Sequence, residues 1–233
     1  MTSSDGALVE ILRGTRTLLI DFDGPICSVF AGYPASAVAD ELRRLVASYG
    51  GIVVEDLDAD EGPISVLRQV ARTGPAVLVR TVADALRDAE VMAIHTAEPT
   101  PGADEFIRAA CATGRRVAVV SNNSQEAVHG YLQRSGLTAS IDGISARYND
   151  MDPRLMKPDG HLIHRALEAL DAEPATTTLV GDSIADAHAG RSAGTVFIGY
   201  ANKPGKRDHL TAAGARVVVD SLSELHSALL RAR

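Results

Sequence analysis

The sequence predicts an α/β protein whose core is a doubly wound parallel sheet, with a helical domain inserted after the first strand. Two observations predict the core. Short apolar runs alternate with helix-spaced segments over most of the chain, and several of these runs stop abruptly at polar residues. A third observation predicts the insertion, because residues 25–99 show helical rather than strand spacing. The hydrophobic fraction of 45% is typical of a globular protein with a substantial core.

The strands and helices of the predicted core follow in regular alternation. A short helix at residues 6–13 precedes the first strand at 17–21. Later apolar runs predict strands at 116–121, 141–146, 177–180, 195–198 and 217–219, with helices between and after them. Asn123 or Ser124 is expected to begin the helix after the strand at 116–121, and Asn123 with Glu126 has the spacing of a capping box.

Residues 25–99 are predicted to form a helical lid. An apolar stripe over residues 38–49 stops at Gly50-Gly51, and further helices are expected behind Pro63 and after Pro75. An insertion of about 70 residues far exceeds the dozen or so that a crossover between parallel strands needs. We therefore favour a lid over a simple cover of the sheet. The expected domains are a core of residues 1–24 and 100–233 and a cap of residues 25–99.

The charge of the chain argues against a nucleic-acid partner. The formal net charge is −7, and no Lys/Arg stripe with interleaved aromatic residues is present. The basic cluster of Lys203, Lys206 and Arg207 is interpreted as a solvated loop. No apolar run approaches the ~18 residues that span a bilayer. No basic segment followed by an apolar one opens the sequence, so we expect a cytoplasmic protein with no membrane partner.

The two cysteines do not suggest a metal site or a catalytic thiol. Cys27 and Cys111 lie far apart and form no metal-ligand pattern. Cys27 lies close to an acidic pair, which makes a thiol nucleophile worth considering, but no C-x₅-R phosphate loop follows it. We interpret Cys27 as a small buried side chain.

Acidic residues follow two of the predicted strands. Asp21 and Asp23 come directly after the first strand, and Asp182 and Asp186 follow a later one. The carboxyl ends of parallel strands meet at one edge of the sheet, where α/β proteins bind ligands. Four carboxylates at that edge would repel one another, and a bound Mg²⁺ would offset the repulsion and attract a phosphate dianion. Taken alone, each acid can be interpreted as an ordinary loop or turn residue. The occurrence of all four at strand ends is what favours a metal site.

Ser121 and Lys157 add groups that suit a phosphoryl ligand. Ser121 ends a predicted strand and can donate a hydrogen bond to a phosphoryl oxygen. Lys157 precedes the helix that starts near Gly160 and adds a positive charge. If Ser183 caps its helix, Asp186 lies at the third helical position, where the helix N-terminus favours a carboxylate. Singly, Ser121 reads as a loop hydroxyl and Lys157 as a surface lysine.

In this order and at these strand ends, the motifs resemble those of the haloacid dehalogenase-like hydrolases. The resemblance covers residues from about 17 to 220, and the helical insertion is similar to the cap of the phosphoglycolate phosphatase-like branch. The family also implies a Rossmann-like core. The matching motifs are Asp21-Phe22-Asp23-Gly24, Ser121-Asn122, Lys157-Pro158, and Gly181-Asp182-Ser183 with Asp186.

The resemblance implies a phosphatase mechanism for these residues. Asp21 would be the nucleophile that forms an aspartyl-phosphate. Asp23 would be the general acid for the leaving alcohol and then the base that activates water. Ser121 and Lys157 would hold the transferring phosphoryl group, and Asn122 would border the phosphate pocket.

The resemblance also implies a Mg²⁺ site. Asp182 would bind the metal together with a carboxylate oxygen of Asp21 and the backbone carbonyl of Asp23, and Asp186 would bind or support it. One position departs from the family, which usually has Thr or Val after the motif's glycine where this chain has Pro25. Proline lacks an N–H donor and fixes φ, so activity would be weakened if that donor were needed.

The sequence leaves the substrate and two other functions open. We expect a Mg²⁺-dependent phosphomonoester hydrolase acting on a small phosphorylated metabolite, with phosphoglycolate as the default that the resemblance suggests. A phosphomutase or dehalogenase on the same fold and a non-catalytic binding protein are the alternatives. Oligomeric state is not indicated. Four candidate lid contacts cannot be ranked from the sequence: Tyr33, Arg43, Arg44 and Arg80.

Overall fold

The computed structural model describes residues 3–49 and 62–232. Its main sheet has the predicted parallel, doubly wound arrangement, with strand order β5-β4-β1-β6-β7-β8. Every neighbouring pair in that order is parallel. The strands are β1 (Thr17–Ile20), β2 (Cys27–Ser28), β3 (Glu98–Pro99), β4 (Arg116–Ser124), β5 (Gly143–Arg147), β6 (Thr177–Gly181), β7 (Val196–Tyr200) and β8 (Val217–Val219).

Helices cover both faces of this sheet, so the predicted α/β fold class is confirmed. The helices are α1 (Ser3–Gly14), α2 (Ala35–Ser48), α3 (Pro63–Thr73), α4 (Ala76–Ala93), α5 (Ala103–Ala112), α6 (Gln125–Arg134), α7 (His161–Ala169), α8 (Ile184–Ser192), α9 (Lys206–Ala212) and α10 (Leu222–Arg231). Short 3₁₀ turns lie at Thr138–Ser140, Pro153–Leu155 and Pro174–Thr176. Within the described ranges, no helix is both long and apolar enough to cross a membrane.

The central strand β1 contributes to two apolar layers because its side chains alternate between the faces of the sheet. Leu18 and Ile20 belong to a layer that includes residues of α1, α5, α6 and α10. Leu19 belongs to the opposite layer, which includes residues of α7, α8 and α9. A strand buried on both faces reads as a continuous apolar run, which explains the pattern from which β1 was predicted.

The inserted helices α2, α3 and α4 form in the segments where helical spacing predicts them. Most of their buried apolar side chains, which include Leu42, Leu67 and Leu86, belong to the same apolar layer as Leu19. The predicted stop at Gly50-Gly51 lies outside the described residues. The sequence did not predict the antiparallel β2–β3 ribbon, in which Cys27 pairs with Pro99. Two-residue strands are too short to show a period, and the division into core and cap stays a prediction.

The start of α6 confirms Ser124, one of the two caps expected from the sequence, and not Asn123. Ser124 is the N-cap and accepts a hydrogen bond from the backbone N–H of Ala127. The predicted capping box of Asn123 with Glu126 is therefore wrong, because β4 runs on to Ser124 and leaves Asn123 inside the strand. The expected cap of α8 is confirmed, because Ser183 is the N-cap, and Asp186 at the third helical position forms a capping box with it.

Candidate active site

Strand register brings the motif residues to one edge of the sheet. Ile20, the last residue of β1, pairs with Val119 on one side and with Val180 on the other. The next residues, Asp21 on β1's end and Gly181 on β6, therefore lie side by side at the carboxyl edge. The polar residues that follow β1, β4 and β6 thus meet around the central strand, as the sequence predicted.

Three carboxylates form a compact cluster at this edge. Asp21, Asp182 and Asp186 each place an oxygen within 4.8 Å of the others. Asp21 is 8% exposed and Asp186 is fully buried. Burial and the neighbouring charge of Asp186 raise the pKa of Asp21 well above its usual range, and burial likewise raises the pKa of Asp182. Positive charge beside these two carboxylates therefore favours their ionised form.

Lys157 supplies part of that charge and contacts two of the three carboxylates. Its Nζ lies 2.7 Å from Asp21 Oδ1 and 2.6 Å from Asp186 Oδ1, and it donates to the carbonyl of Val120 at 2.9 Å. Burial alone would lower the pKa of Lys157, but the charges of Asp186 and Asp21 raise it above its ordinary value. An ammonium has three donors, and all three find partners here.

Asp23 lies on a tight turn that follows β1. Val29 donates its backbone N–H to Asp23 Oδ1 at 2.9 Å. Burial raises the pKa of Asp23 to about 6, with the charge of Asp182 contributing. A carboxyl group with this pKa is partly protonated near neutral pH, which suits a general acid. The carboxylate of Asp23 stands outside the three-carboxylate cluster.

Gly24 allows this turn to approach Asp182. Its φ of 108° lies in the region that side chains disfavour, and a Cβ there would lie 2.6 Å from Cγ of Asp182. The Gly24 N–H donates to the carbonyl of Cys27, and the Gly24 carbonyl accepts from the Thr100 hydroxyl. Glycine is required here by both backbone conformation and space.

Ser121 and Asn122 lie at the end of β4, where the structure gives them different partners. Ser121 is fully buried, and its Oγ donates to Asn123 Oδ1 and accepts from the Asn123 N–H, both at 3.1 Å. The Asn122 side chain accepts from the Lys157 N–H at 2.8 Å and donates to the Lys157 carbonyl at 3.0 Å. Asn122 therefore holds the backbone of Lys157 in place.

Sequence reasoning missed two residues that contact Asp182. Lys206 forms an ion pair with Asp182 Oδ2, and Asn202 donates to the same oxygen at 2.9 Å. The solvated-loop interpretation is therefore wrong for Lys206, whose side chain is 28% exposed. Both residues follow β7, whose carboxyl end lies at the same edge as β1. If the polar residues after β7 had been considered like those after the other strands, both would have been predicted as site residues.

Glu90 and Arg147 were also missed. Glu90 lies on α4 and is fully buried, and its Oε2 lies 2.6 Å from Arg147 Nη2. Arg147 ends β5 and is 5% exposed. The available signal was an acid at the position where the stripe of Val82 and Leu86 on α4 would place another apolar residue.

Each of the four candidate lid contacts has a hydrogen-bond or ion-pair partner. Tyr33 donates to Glu41, Arg43 pairs with Asp40, and Arg80 pairs with Asp150, while Arg44 donates to a backbone carbonyl of its own helix. Cys27 is fully buried, and burial raises the pKa of its thiol far above neutral pH. A thiolate at Cys27 is therefore disfavoured, in agreement with its interpretation as a packing residue.

The donor set fits a hydrated magnesium ion. Asp21 and Asp182 offer the hard oxygen ligands that Mg²⁺ prefers, and Mg²⁺ commonly keeps several waters. Asn202 Oδ1 is buried and has no hydrogen-bond partner among the described residues, so it is an acceptor that such a water would satisfy. Both oxygens of Asp186 already accept bonds, from Lys157 and from Ser183. Asp186 is thus better placed to support the site than to bind the ion.

Comparison with known proteins places this geometry in a family. The family model of the haloacid dehalogenase-like hydrolases matches residues 15–194. The chain is 34% identical over 137 residues to a plasmid-encoded phosphoglycolate phosphatase of Cupriavidus necator, covering 57% of this chain and 56% of that protein. It is 30% identical over 118 residues to the pyrophosphatase PpaX of Bacillus mycoides, covering 51% and 54% respectively. These matches thus span little more than half the length of either relative.

Solved structures show the same fold. A predicted phosphatase from Clostridium acetobutylicum superposes with a TM-score of 0.72 at 19% identity, covering 93% of this chain and 99% of that one. CbbY from Rhodobacter sphaeroides, solved in complex with phosphate, superposes with a TM-score of 0.68 at 20% identity, covering 91% and 96%. The family match over residues 15–194 includes all four motifs and the carboxylate cluster, and the chain therefore belongs to the haloacid dehalogenase-like hydrolases.

Proposed function

We propose that this chain is a Mg²⁺-dependent phosphatase that hydrolyses a small phosphomonoester through an aspartyl-phosphate on Asp21. The observation that carries the proposal is the placement of Lys157 Nζ between Asp21 and Asp186, with an Asp182 oxygen within 4.8 Å of both carboxylates. Similarity to a phosphoglycolate phosphatase and a pyrophosphatase supports phosphorus as the reacting centre.

In the first step, an Asp21 carboxylate oxygen attacks phosphorus and the bond from phosphorus to the ester oxygen breaks. Asp23, with its pKa raised to about 6, gives its proton to the departing alkoxide. In the second step, Asp23 takes a proton from a water that attacks the aspartyl-phosphate, which releases inorganic phosphate and restores Asp21.

Other residues of the site stabilise charge during these steps. Lys157 balances negative charge on the transferring group and on Asp21. Ser121, with neighbouring backbone N–H groups, holds phosphoryl oxygens. Asp21, Asp182 and the carbonyl of Asp23 would hold Mg²⁺, with Asp186 in support, and the bound ion would screen the carboxylates from the incoming phosphate.

We also propose that residues 25–99 form a cap over a core of residues 1–24 and 100–233. The β2–β3 ribbon supports this division, because it joins the beginning of the insertion to its end. A helical cap over the carboxyl edge limits the space for substrate, so a small metabolite such as phosphoglycolate is the preferred class.

Hydrolysis of para-nitrophenyl phosphate with and without Mg²⁺ tests the proposal. We expect turnover only with the metal, followed by preference for a small acid or sugar phosphate in a panel of metabolites. A dehalogenase attacks carbon and needs neither an acid for an alkoxide nor a metal, so Asp23, Asp182 and Lys157 favour phosphorus chemistry. A phosphomutase would instead return the phosphoryl group to a second position of its substrate, and absence of all turnover would indicate a binding protein.

Metal binding should be measurable without catalysis. At a Mg²⁺ concentration about 100 times the dissociation constant, binding stabilises the fold by about 2.7 kcal/mol. The thermal midpoint should then rise by roughly 5–10 °C for a chain of this size. Because the pKa values of Asp21 and Asp182 are raised, protons compete with the metal, and the shift should be smaller at pH 5.5 than at pH 7.5.

Two variants complete this thermal experiment. Asp182→Asn should abolish the Mg²⁺-dependent shift, whereas Asp150→Asn, at an exposed ion pair with Arg80, should leave it intact. An equal shift in wild type and Asp182→Asn would place the metal elsewhere.

Replacing Lys206 by methionine should tighten Mg²⁺ binding. Lys206 forms an ion pair with Asp182, so the ion must share or displace that ammonium. We expect the dissociation constant measured by calorimetry to fall about tenfold, equivalent to ~1.4 kcal/mol. The exposed neighbour Lys203 gives a matched control, since Lys203→Met should change the constant little. Weaker binding in Lys206→Met would show that the lysine instead helps to assemble the site.

A further inference from the structure

A buried acid on the cap helix α4 contacts the C-terminal end of β4. Glu90 has no exposed surface, and the other buried residues of α4 are apolar, namely Leu78, Val82, Leu86 and Ala93. Burying a carboxylate costs free energy that an apolar residue at the same position would avoid. An ion pair only partly offsets that cost, so stability alone explains the acid poorly.

Among the described residues, two of the three hydrogen bonds that Glu90 accepts come from the end of β4. Glu90 Oε2 accepts from the Ser124 N–H at 2.8 Å, and Oε1 accepts from Asn123 Nδ2 at 3.2 Å. The remaining donor is Arg147, at 2.6 Å from Oε2. Arg147 in turn donates from Nε to the Asn122 carbonyl at 3.0 Å. Glu90 and Arg147 together therefore hold the last three residues of β4.

Two of those three residues, Asn122 and Asn123, bond to the groups that are proposed to hold phosphate. Asn123 bonds the Ser121 hydroxyl through both its side chain and its backbone N–H. Asn122 bonds both backbone polar groups of Lys157, whose Nζ contacts Asp21. Asn123 thus connects Glu90 to Ser121. Arg147 and Asn122 connect Glu90 to Lys157.

We propose that Glu90 is a positioning residue, paired with Arg147, that sets the geometry of Ser121 and Lys157 from the cap helix. The inference rests on the proposed phosphatase function, because it concerns the groups that hold the transferring phosphoryl. A direct consequence is that α4 and the C-terminal end of β4 move together. Displacement of this helix then changes the site even though Glu90 does not touch the substrate.

The double variant Glu90→Leu with Arg147→Met tests this role. Replacing both partners by apolar residues leaves no unpaired buried charge, so the protein should remain folded. We expect kcat for para-nitrophenyl phosphate to fall about tenfold or more, since small displacements of catalytic groups are costly, while KM changes by less than about threefold. Binding of orthovanadate, which mimics the transferring phosphoryl group, should weaken about tenfold.

Amide exchange gives a readout that does not depend on the reaction. The Ser124 N–H donates to Glu90, so its protection from exchange should fall in the double variant. Asp84→Asn provides the matched control, because Asp84 lies on the same helix and pairs with Arg87. The control should preserve kcat, orthovanadate binding and Ser124 protection.

The outcomes separate the alternatives. Unchanged kcat and orthovanadate binding in a folded double variant would overturn the role of Glu90 and leave a purely structural pair. If the double variant does not fold, Glu90→Gln retains the side-chain volume, and the same two measurements on it decide the question. If the wild type hydrolyses no phosphate ester, the proposed function fails, and orthovanadate binding in wild type against variant still decides whether Glu90 positions Ser121 and Lys157.

Discussion

Replacing Asp21 by asparagine should reduce kcat for para-nitrophenyl phosphate by roughly 10³-fold or more, equivalent to about 4 kcal/mol of transition-state stabilisation. Asparagine has the size of aspartate, but its carboxamide oxygen is a poor nucleophile and cannot form the acyl-phosphate. The initial rate at saturating Mg²⁺ and substrate measures the effect. A labelled covalent phosphoenzyme, trapped by acid quench, should form in wild type and not in the variant.

The fold should survive this substitution. Asp21 loses its ion pair with Lys157, yet the raised pKa of Asp21 shows that its ionised form is costly in the folded protein. The two effects oppose each other, so we expect a thermal midpoint within a few degrees of wild type. Retention of more than about a tenth of the wild-type kcat would show that another group attacks the substrate.

Replacing Lys157 by methionine should affect both activity and stability. Lys157 is 2% exposed and contacts two carboxylates, so its removal leaves buried acids without their ammonium partner. Removing one member of a buried ion pair costs about 3–5 kcal/mol, which lowers the thermal midpoint by roughly 6–20 °C in a chain of this size. We expect kcat to fall about 10³-fold as well, because charge on the transferring group is no longer balanced.

The pH dependence of this variant supplies a sharper test. Without Lys157, the pKa of Asp21 rises further, since burial and Asp186 already raise it and the opposing cation is gone. Above its folded pKa, a group whose pKa is raised by folding is ionised and lowers the free energy of unfolding. At low pH the group is protonated, and the unpaired charge is removed. The loss of stability measured by urea unfolding should therefore be smaller at pH 5 than at pH 8.

Lys203→Met is the control for Lys157→Met, because Lys203 is exposed. That variant should unfold at the wild-type urea concentration at both pH values. A loss of stability in Lys157→Met that did not change with pH would indicate that the lost methylene packing, rather than the carboxylates, dominates.

Much of the site was predictable because parallel sheets place chemistry at one edge. Asp21, Ser121 and Asp182 each follow an apolar run, and the structure gathers all three around the centre of the sheet. Ser183 and Asp186 have the spacing of a capping box, and the box forms. The helices of the insertion were visible from their apolar stripes, since helical period survives in sequence wherever one face is buried.

The features that the sequence did not predict share a physical cause. Lys206 and Asn202 lie beyond β7 in the chain, and only the order of strands brings β7's carboxyl end beside β6 and Asp182. The β2–β3 ribbon pairs residues about 70 positions apart through strands too short to show any period. Asn123 and Ser124 were both predicted as possible caps, and pairing of β4 with β5 extends the strand past Asn123 and leaves Ser124 as the cap.

The sequence by itself determined the fold class, the family and which side chains collect at the edge of the sheet, because these depend on period and on the order of strand ends. Only the tertiary structure decided which charged side chains pair with each other. Lys157 lies between Asp21 and Asp186, Lys206 pairs with Asp182, and Glu90 contacts Arg147 and the end of β4. Ionic contacts of this kind depend on distances of a few ångströms between segments far apart in the chain, and no local pattern records those distances.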